Sequence, residues 1–125
     1  MISHISFGVR DLERAIAFYD AVAKPLGAER LWTKADGAGY GYRGTEDALA
    51  LKLRSEASAP GPGFHCAFDA DSRAAVDAFH AAAIAAGGMD NGAPGLRPHF
   101  GESYYAAFVV DPDGHRIEAL CTAGM

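Results

Sequence analysis

The chain has 125 residues, of which 50% are hydrophobic and 22% are charged, and its formal charge at pH 7 is −5. This balance is typical of one ordinary folded domain with its own core and excludes a chain that is disordered throughout. A negative net charge without a basic run argues against nucleic acid or an anionic membrane surface as a partner.

The sequence also carries signals about the compartment. No apolar run approaches the roughly 20 residues that a membrane span needs, and residues 1–4 do not begin a secretion signal of basic and then apolar residues. The two cysteines, Cys66 and Cys121, form neither a metal-binding spacing nor a disulfide framework. We interpret them as small core residues of a reduced, cytoplasmic protein without a membrane partner.

The first half of the chain predicts a strand, a helix and three short strands. Residues 2–9 alternate between apolar and small or polar side chains, which is typical of a strand with one apolar face. Asp11 can cap the helix that follows, and Pro25 and Gly27 end it. Apolar segments at residues 31–33, 39–42 and 48–53 then predict three strands.

The second half begins after a linker rich in Pro, Gly and Ser at residues 55–63. Residues 64–68 predict a strand, Ser72 can cap a helix, and Gly87 and Gly88 end that helix. Residues 91–101 contain two prolines and three glycines and predict a loop. Residues 104–120 predict a β-hairpin with its turn at Pro112 and Gly114.

The two halves are related by a repeat with an offset of 61 residues. Identical residues then fall at the same structural points: His4 and His65, Phe7 and Phe68, Ala17 and Ala78, Phe18 and Phe79, Gly27 and Gly88. We therefore predict one α+β domain of two βαβββ modules, module one at about residues 1–57 and module two at about residues 63–125, which form an open, cup-shaped mixed sheet.

Glu118 is the residue that most needs an explanation, because it interrupts the apolar strand between Ile117 and Ala119. A carboxylate at such a position is costly without a partner. If the helices cover the apolar faces, His4, His65 and Glu118 share the opposite, concave face. Two imidazoles and one carboxylate suit a divalent transition metal, although each residue alone is more simply a packed or exposed side chain.

Other candidate residues surround this predicted site. One of Tyr104 and Tyr105 must face the concave side, where it either packs or contacts substrate, and we take Tyr105 as a candidate catalytic residue. His99 is a second candidate, as an acid or base, unless it is an ordinary loop histidine. We expect His115 to be exposed at the hairpin turn and His80 to lie on the surface of the second helix.

The repeated modules and two segments resemble the vicinal-oxygen-chelate superfamily. The resemblance is carried by residues 4–19 (HISFGVRDLERAIAFY) and residues 111–118 (DPDGHRIE), and it extends over essentially the whole chain. The superfamily includes glyoxalase I, extradiol dioxygenases, fosfomycin-resistance enzymes, methylmalonyl-CoA epimerase and bleomycin-binding proteins. It implies the glyoxalase/bleomycin resistance/dihydroxybiphenyl dioxygenase fold and a divalent ion (Fe, Mn, Zn or Ni) held by His4, His65 and Glu118.

The resemblance also implies a range of functions. The first is a metal-dependent lyase, dioxygenase or thiol transferase that chelates a small substrate through adjacent oxygens. The alternative is a non-catalytic protein of the bleomycin-resistance type that sequesters a small molecule. Glyoxalase I has a fourth ligand, a glutamate, where this chain has Ala50 (or Lys52 if the register slips), which argues against a standard glyoxalase I site. Because the cup is open, we expect a homodimer.

Overall fold

The computed structural model describes residues 1–124, so Met125, the last residue assigned to module two, lies outside the described residues. Module one contains β1 (Ile5–Val9), α1 (Leu12–Ala23), a short 3-10 helix (Lys24–Leu26), β2 (Glu29–Lys34), β3 (Gly37–Gly41) and β4 (Leu49–Leu53). Module two contains β5 (Cys66–Asp69), α2 (Arg73–Ala85), β6 (Met89–Leu96), β7 (Tyr105–Val110) and β8 (Arg116–Cys121).

Each module builds one four-stranded mixed sheet. The strand orders are β1-β4-β3-β2 in the first sheet and β5-β8-β7-β6 in the second. The first strand of each module pairs in parallel with the last strand of the same module, and the other neighbours are antiparallel. The predicted α+β fold of two βαβββ modules is therefore confirmed.

The predicted helix boundaries follow from local capping. The Asp11 carboxylate accepts a hydrogen bond from the backbone N–H of Arg14 at 3.0 Å, and the Ser72 hydroxyl accepts one from that of Ala75 at 3.1 Å. Each cap satisfies one of the N–H groups that the first helical turn leaves free. The segment after α1 ends at Gly27, whose φ of 75° is easily adopted only by glycine.

The core lies on the helix side of both sheets. α1 contacts β2, β3 and β4, α2 contacts β6, β7 and β8, and the two helices contact each other. The buried apolar cluster draws on both modules, with Phe7, Phe18 and Phe79 among its largest members. Cys121 lies in this cluster and Cys66 packs against it, as predicted, and burial raises the pKa of the Cys66 thiol. Within residues 1–124, the helices are too short or too polar to cross a bilayer.

The prediction of a loop at residues 91–101 is wrong for its first half. Residues 89–96 form β6, which pairs antiparallel with β7 through a register that shifts on both sides of Gly92. β6 is the edge strand of its sheet, where Pro94 and the bulges can be accommodated because one side of the strand has no ladder partner.

The prediction of an exposed His115 is also wrong. Its ring is buried and stacks on Phe7 with a centroid distance of 4.3 Å, and its Nδ1 lies 2.8 Å from Asp111 Oδ2. The Tyr19 hydroxyl donates to the same oxygen at 2.6 Å. Burial alone would raise the pKa of Asp111, but the hydrogen bonds from His115 and Tyr19 outweigh burial and lower it. This polar cluster ties the hairpin turn of module two to β1 and α1.

Candidate functional site

The candidate site lies on the outer face of the second sheet, which we define as the face turned away from α2. Phe108 on β7 pairs with Glu118 on β8 and with Gly92 on β6, so these three residues form one row across the sheet. Ile117 and Val109 alternate with them and are fully buried on the helix side. The alternation therefore turns Glu118 away from the helix, as the sequence predicts.

The buried Glu118 carboxylate has a polar partner for each of its two oxygens. It is only 2% exposed, and its Oε1 contacts His65 Nε2 while its Oε2 accepts a hydrogen bond from the Tyr104 hydroxyl at 2.6 Å. The His65 side chain remains 40% exposed. The result is a carboxylate whose two oxygens are both engaged, beside an imidazole that solvent and ligands can reach.

Tyr104, not Tyr105, is the tyrosine at this site. Partial burial and the hydrogen bond to Glu118 raise the pKa of Tyr104 to about 12, so its hydroxyl keeps its proton and acts as a donor. The Tyr105 hydroxyl donates instead to Asp77 on α2 at 2.6 Å. The prediction that placed Tyr105 on the concave side is therefore corrected, because Tyr105 pairs with Cys121 and both face the helix.

His99 lies near the candidate site, in the loop between β6 and β7. Its ring contacts the Phe100 ring at 4.1 Å between centroids, and Phe100 contacts Tyr104 at 5.2 Å. One exposed aromatic residue thus separates His99 from the tyrosine that contacts Glu118. An acid or base role for His99 stays a prediction.

His4 is not brought to Glu118 within one chain. It is exposed just before β1, and its Nδ1 lies 3.0 Å from the Ser3 hydroxyl. His4 and His65 both line a cavity of about 680 Å³, but Glu118 is not part of its lining. Over residues 1–124, no cluster of three or more His, Cys, Asp or Glu side chains is arranged to hold a metal. His65 and Glu118 therefore contact each other, and His4 does not join them as a third ligand within one chain.

Ala50, which stands at the position of the fourth glyoxalase I ligand, is buried. Ala50 pairs with Gly39, and Gly39 pairs with Trp32, so these residues form a row across the first sheet. The indole covers Gly39 so closely that a Cβ there would lie 2.0 Å from its Nε1. Ala50 itself is 3% exposed. The outer face of the first sheet therefore has no room for a carboxylate at this point.

Comparison with known proteins agrees with this architecture. The sequence profile of the Glyoxalase/Bleomycin resistance protein/Dioxygenase superfamily matches residues 1–119. The chain belongs to this superfamily. A glyoxalase/bleomycin resistance protein from Albidiferax ferrireducens is a similar superfamily member of known structure, with 35% identity over 95% of this chain and 96% of that chain and a TM-score of 0.82.

More distant superfamily members share the fold. A family enzyme from Burkholderia phytofirmans is 23% identical over 97% of this chain and 98% of that chain, with a TM-score of 0.74. The fosfomycin resistance protein FosX from Mesorhizobium loti is 22% identical over 97% of this chain and 91% of that chain, with a TM-score of 0.70. No curated protein matches the chain by sequence.

Proposed function

We propose that this chain is a metal-dependent enzyme that binds one divalent ion through His65 and Glu118 and chelates a small substrate through adjacent oxygens. The observation that carries the proposal is the buried Glu118 carboxylate, which contacts the half-exposed His65 imidazole on a face that is open to solvent. Imidazole nitrogen and carboxylate oxygen are donors that suit Zn, Mn, Fe or Ni. A reduced, cytoplasmic location is part of the same proposal.

His4 is the third ligand in this proposal. Since His4, His65 and Glu118 do not form a metal-holding group within one chain, a second copy of the chain supplies His4 in a homodimer. A twofold dimer is the commonest homo-oligomer, and each dimer would contain two equivalent sites.

The residues of the chain have distinct parts in this scheme. When bound, the ion supplies Lewis-acid polarisation of the substrate oxygens. Without the ion, Glu118 Oε1 contacts His65 Nε2 directly, and both atoms would turn to the ion when it binds. The Tyr104 hydroxyl would still orient the carboxylate through its bond to Oε2. The raised pKa of Tyr104 keeps that proton on the phenol, so Tyr104 acts as a positioning residue.

Metal uptake by purified protein tests this assignment. We expect one ion per chain in the wild type and a loss of affinity of at least about 100-fold in Glu118→Gln, which keeps the size of the side chain but removes its charge. Asp90→Asn is the matched control, because His80 Nε2 and Asp90 Oδ1 form another histidine–carboxylate pair, at 2.9 Å. Equal uptake by the wild type and Glu118→Gln would exclude the site.

A mixing experiment tests the contribution of the second copy. His4→Ala and Glu118→Gln should each bind metal poorly, but a mixed dimer contains one site with all three ligands intact. We expect about one ion per mixed dimer by native mass spectrometry. Mixed dimers without recovered metal, or only monomer in light scattering, would contradict the shared site.

A further inference from the structure

Arg97, directly after β6, places its side chain on the outer face of the second sheet. Its guanidinium lies over the Phe108 ring, 5.3 Å from the ring centroid. The same Phe108 ring lies 5.6 Å from the His65 ring, and Phe108 pairs with Glu118. One aromatic side chain thus contacts both a cation and a proposed metal ligand.

The position of Arg97 is shaped by the backbone beneath it. A Cβ at Gly92 would lie 3.3 Å from Arg97 Nη2, and one at Gly95 would lie 3.1 Å from Nη1. The two missing side chains leave the space that the guanidinium occupies. Arg97 Nη2 also donates to the carbonyl of Ala93 at 2.7 Å, which helps to fix the orientation of the group.

The positive charge of Arg97 has no carboxylate partner in the part of the chain that the structure describes, where the ion pairs involve other residues. A guanidinium has five N–H donors, and its bonds to backbone carbonyls use only part of them. A planar guanidinium that is fixed over an aromatic ring and has no carboxylate partner is suited to bind an oxyanion through two parallel hydrogen bonds.

We propose that Arg97 binds the anionic end, a carboxylate or a similar oxyanion, of a substrate whose apolar part packs beside Phe108. The opposite end of that substrate then reaches His65 and Glu118, a part of the inference that rests on the proposed function. The guanidinium lies 5.3 Å and the His65 ring 5.6 Å from the Phe108 centroid, so a substrate beside this ring can reach both groups.

The anionic end can be tested without metal, in protein treated with a chelator, by NMR titration with benzoate and with the neutral benzamide. We expect benzoate to bind in the millimolar range with shifts at Phe108, and benzamide to bind at least about 10-fold more weakly. Arg97→Gln should remove this preference. Gly95→Ala should weaken benzoate binding although the charge is retained, because it narrows the space under the guanidinium.

Arg54→Gln is the matched control, since Arg54 is exposed and also donates to the carbonyl of the preceding residue, at 2.8 Å. It should bind benzoate like the wild type. Absent benzoate binding by the wild type, unchanged binding by Arg97→Gln, or an equal loss in Arg54→Gln would each overturn the proposal. Because the titration contains no metal, its outcome is independent of whether Glu118→Gln alters metal uptake.

Discussion

The outer faces of the two sheets differ although the modules follow the same path. In module one the row contains Trp32, Gly39 and Ala50, in which an indole covers small residues. In module two the equivalent of Ala50 is Glu118, which contacts His65. The equivalence follows from the register, since Ile5 pairs with Leu49 as Cys66 pairs with Ile117. The repeated helix-side core thus sets the fold, and the opposite face varies without changing it.

We expect the largest effect from Ala50→Glu, which places a glutamate in module one at the position equivalent to Glu118 in module two. Ala50 is 3% exposed in the row where the Trp32 indole covers Gly39, so the carboxylate would be buried without a partner. We expect a loss of about 3 kcal/mol or more in the free energy of unfolding, measured with urea. Ser6→Glu, at the exposed neighbour of Ala50 in the same row, should cost less than about 0.5 kcal/mol. An Ala50→Glu protein as stable as the wild type would mean that the outer face of the first sheet, like that of the second, has room for a carboxylate.

A smaller loss is expected from Asp111→Asn at the hairpin turn of module two. Asp111 is 4% exposed, and its oxygens accept hydrogen bonds from Tyr19, from both the ring and the backbone of His115, and from the backbone of Asp113. Since an amide nitrogen cannot accept these bonds, we expect a loss of about 2–3 kcal/mol at neutral pH. Asp47→Asn, before β4 in module one, should change stability by less than about 0.5 kcal/mol.

The pH dependence gives a second measure of Asp111. The folded protein lowers the pKa of this carboxyl, so its stabilising contribution is present above the ordinary carboxyl pKa and is lost as pH falls through the lowered value. Urea unfolding of the wild type should therefore show a loss below about pH 4 that is smaller in Asp111→Asn. Parallel pH profiles for the two proteins would contradict this role.

The smallest effects separate the two neighbouring tyrosines. Tyr104→Phe removes a donor to the buried Glu118, whereas Tyr105→Phe removes an exposed bond to Asp77. We expect a stability loss of about 1 kcal/mol and up to about 10-fold weaker metal binding for Tyr104→Phe. Tyr105→Phe should show less than about 0.5 kcal/mol and unchanged metal binding. Larger losses of stability and metal affinity in Tyr105→Phe than in Tyr104→Phe would indicate that Tyr105, and not Tyr104, lies at the site.

The repeat in the sequence predicts a strand that the local composition did not indicate. Adding the repeat offset of 61 to β2 (Glu29–Lys34) gives residues 90–95, which lie within β6 (Met89–Leu96). Proline and glycine had indicated a loop there, but an edge strand accommodates both. Pairing across the hairpin turn would likewise have selected Tyr104, because Phe108 pairs with Glu118 and the same alternation, continued to the residue just before β7, places Tyr104 on that face.

Parts of the candidate site depend on tertiary contacts that no local pattern contains. The ring of His115 is buried because Phe7, from the other module, stacks on it. The orientation of Arg97 depends on glycines and an aromatic ring that are brought together by β6 and β7. Alternation within one strand predicted only the face of each residue, and not that His4 fails to join His65 and Glu118 within one chain.

The most direct test of a metal site on the second sheet is ¹⁵N NMR of the histidine rings during Zn²⁺ titration of the wild type. We expect the His65 ring signals to move to metal-bound positions at one equivalent, with those of His4 if the homodimer completes the site. Signals of the other histidines should stay in place: His80, His99 and His115. An unchanged His65 while His80 or His99 binds the ion would contradict the account.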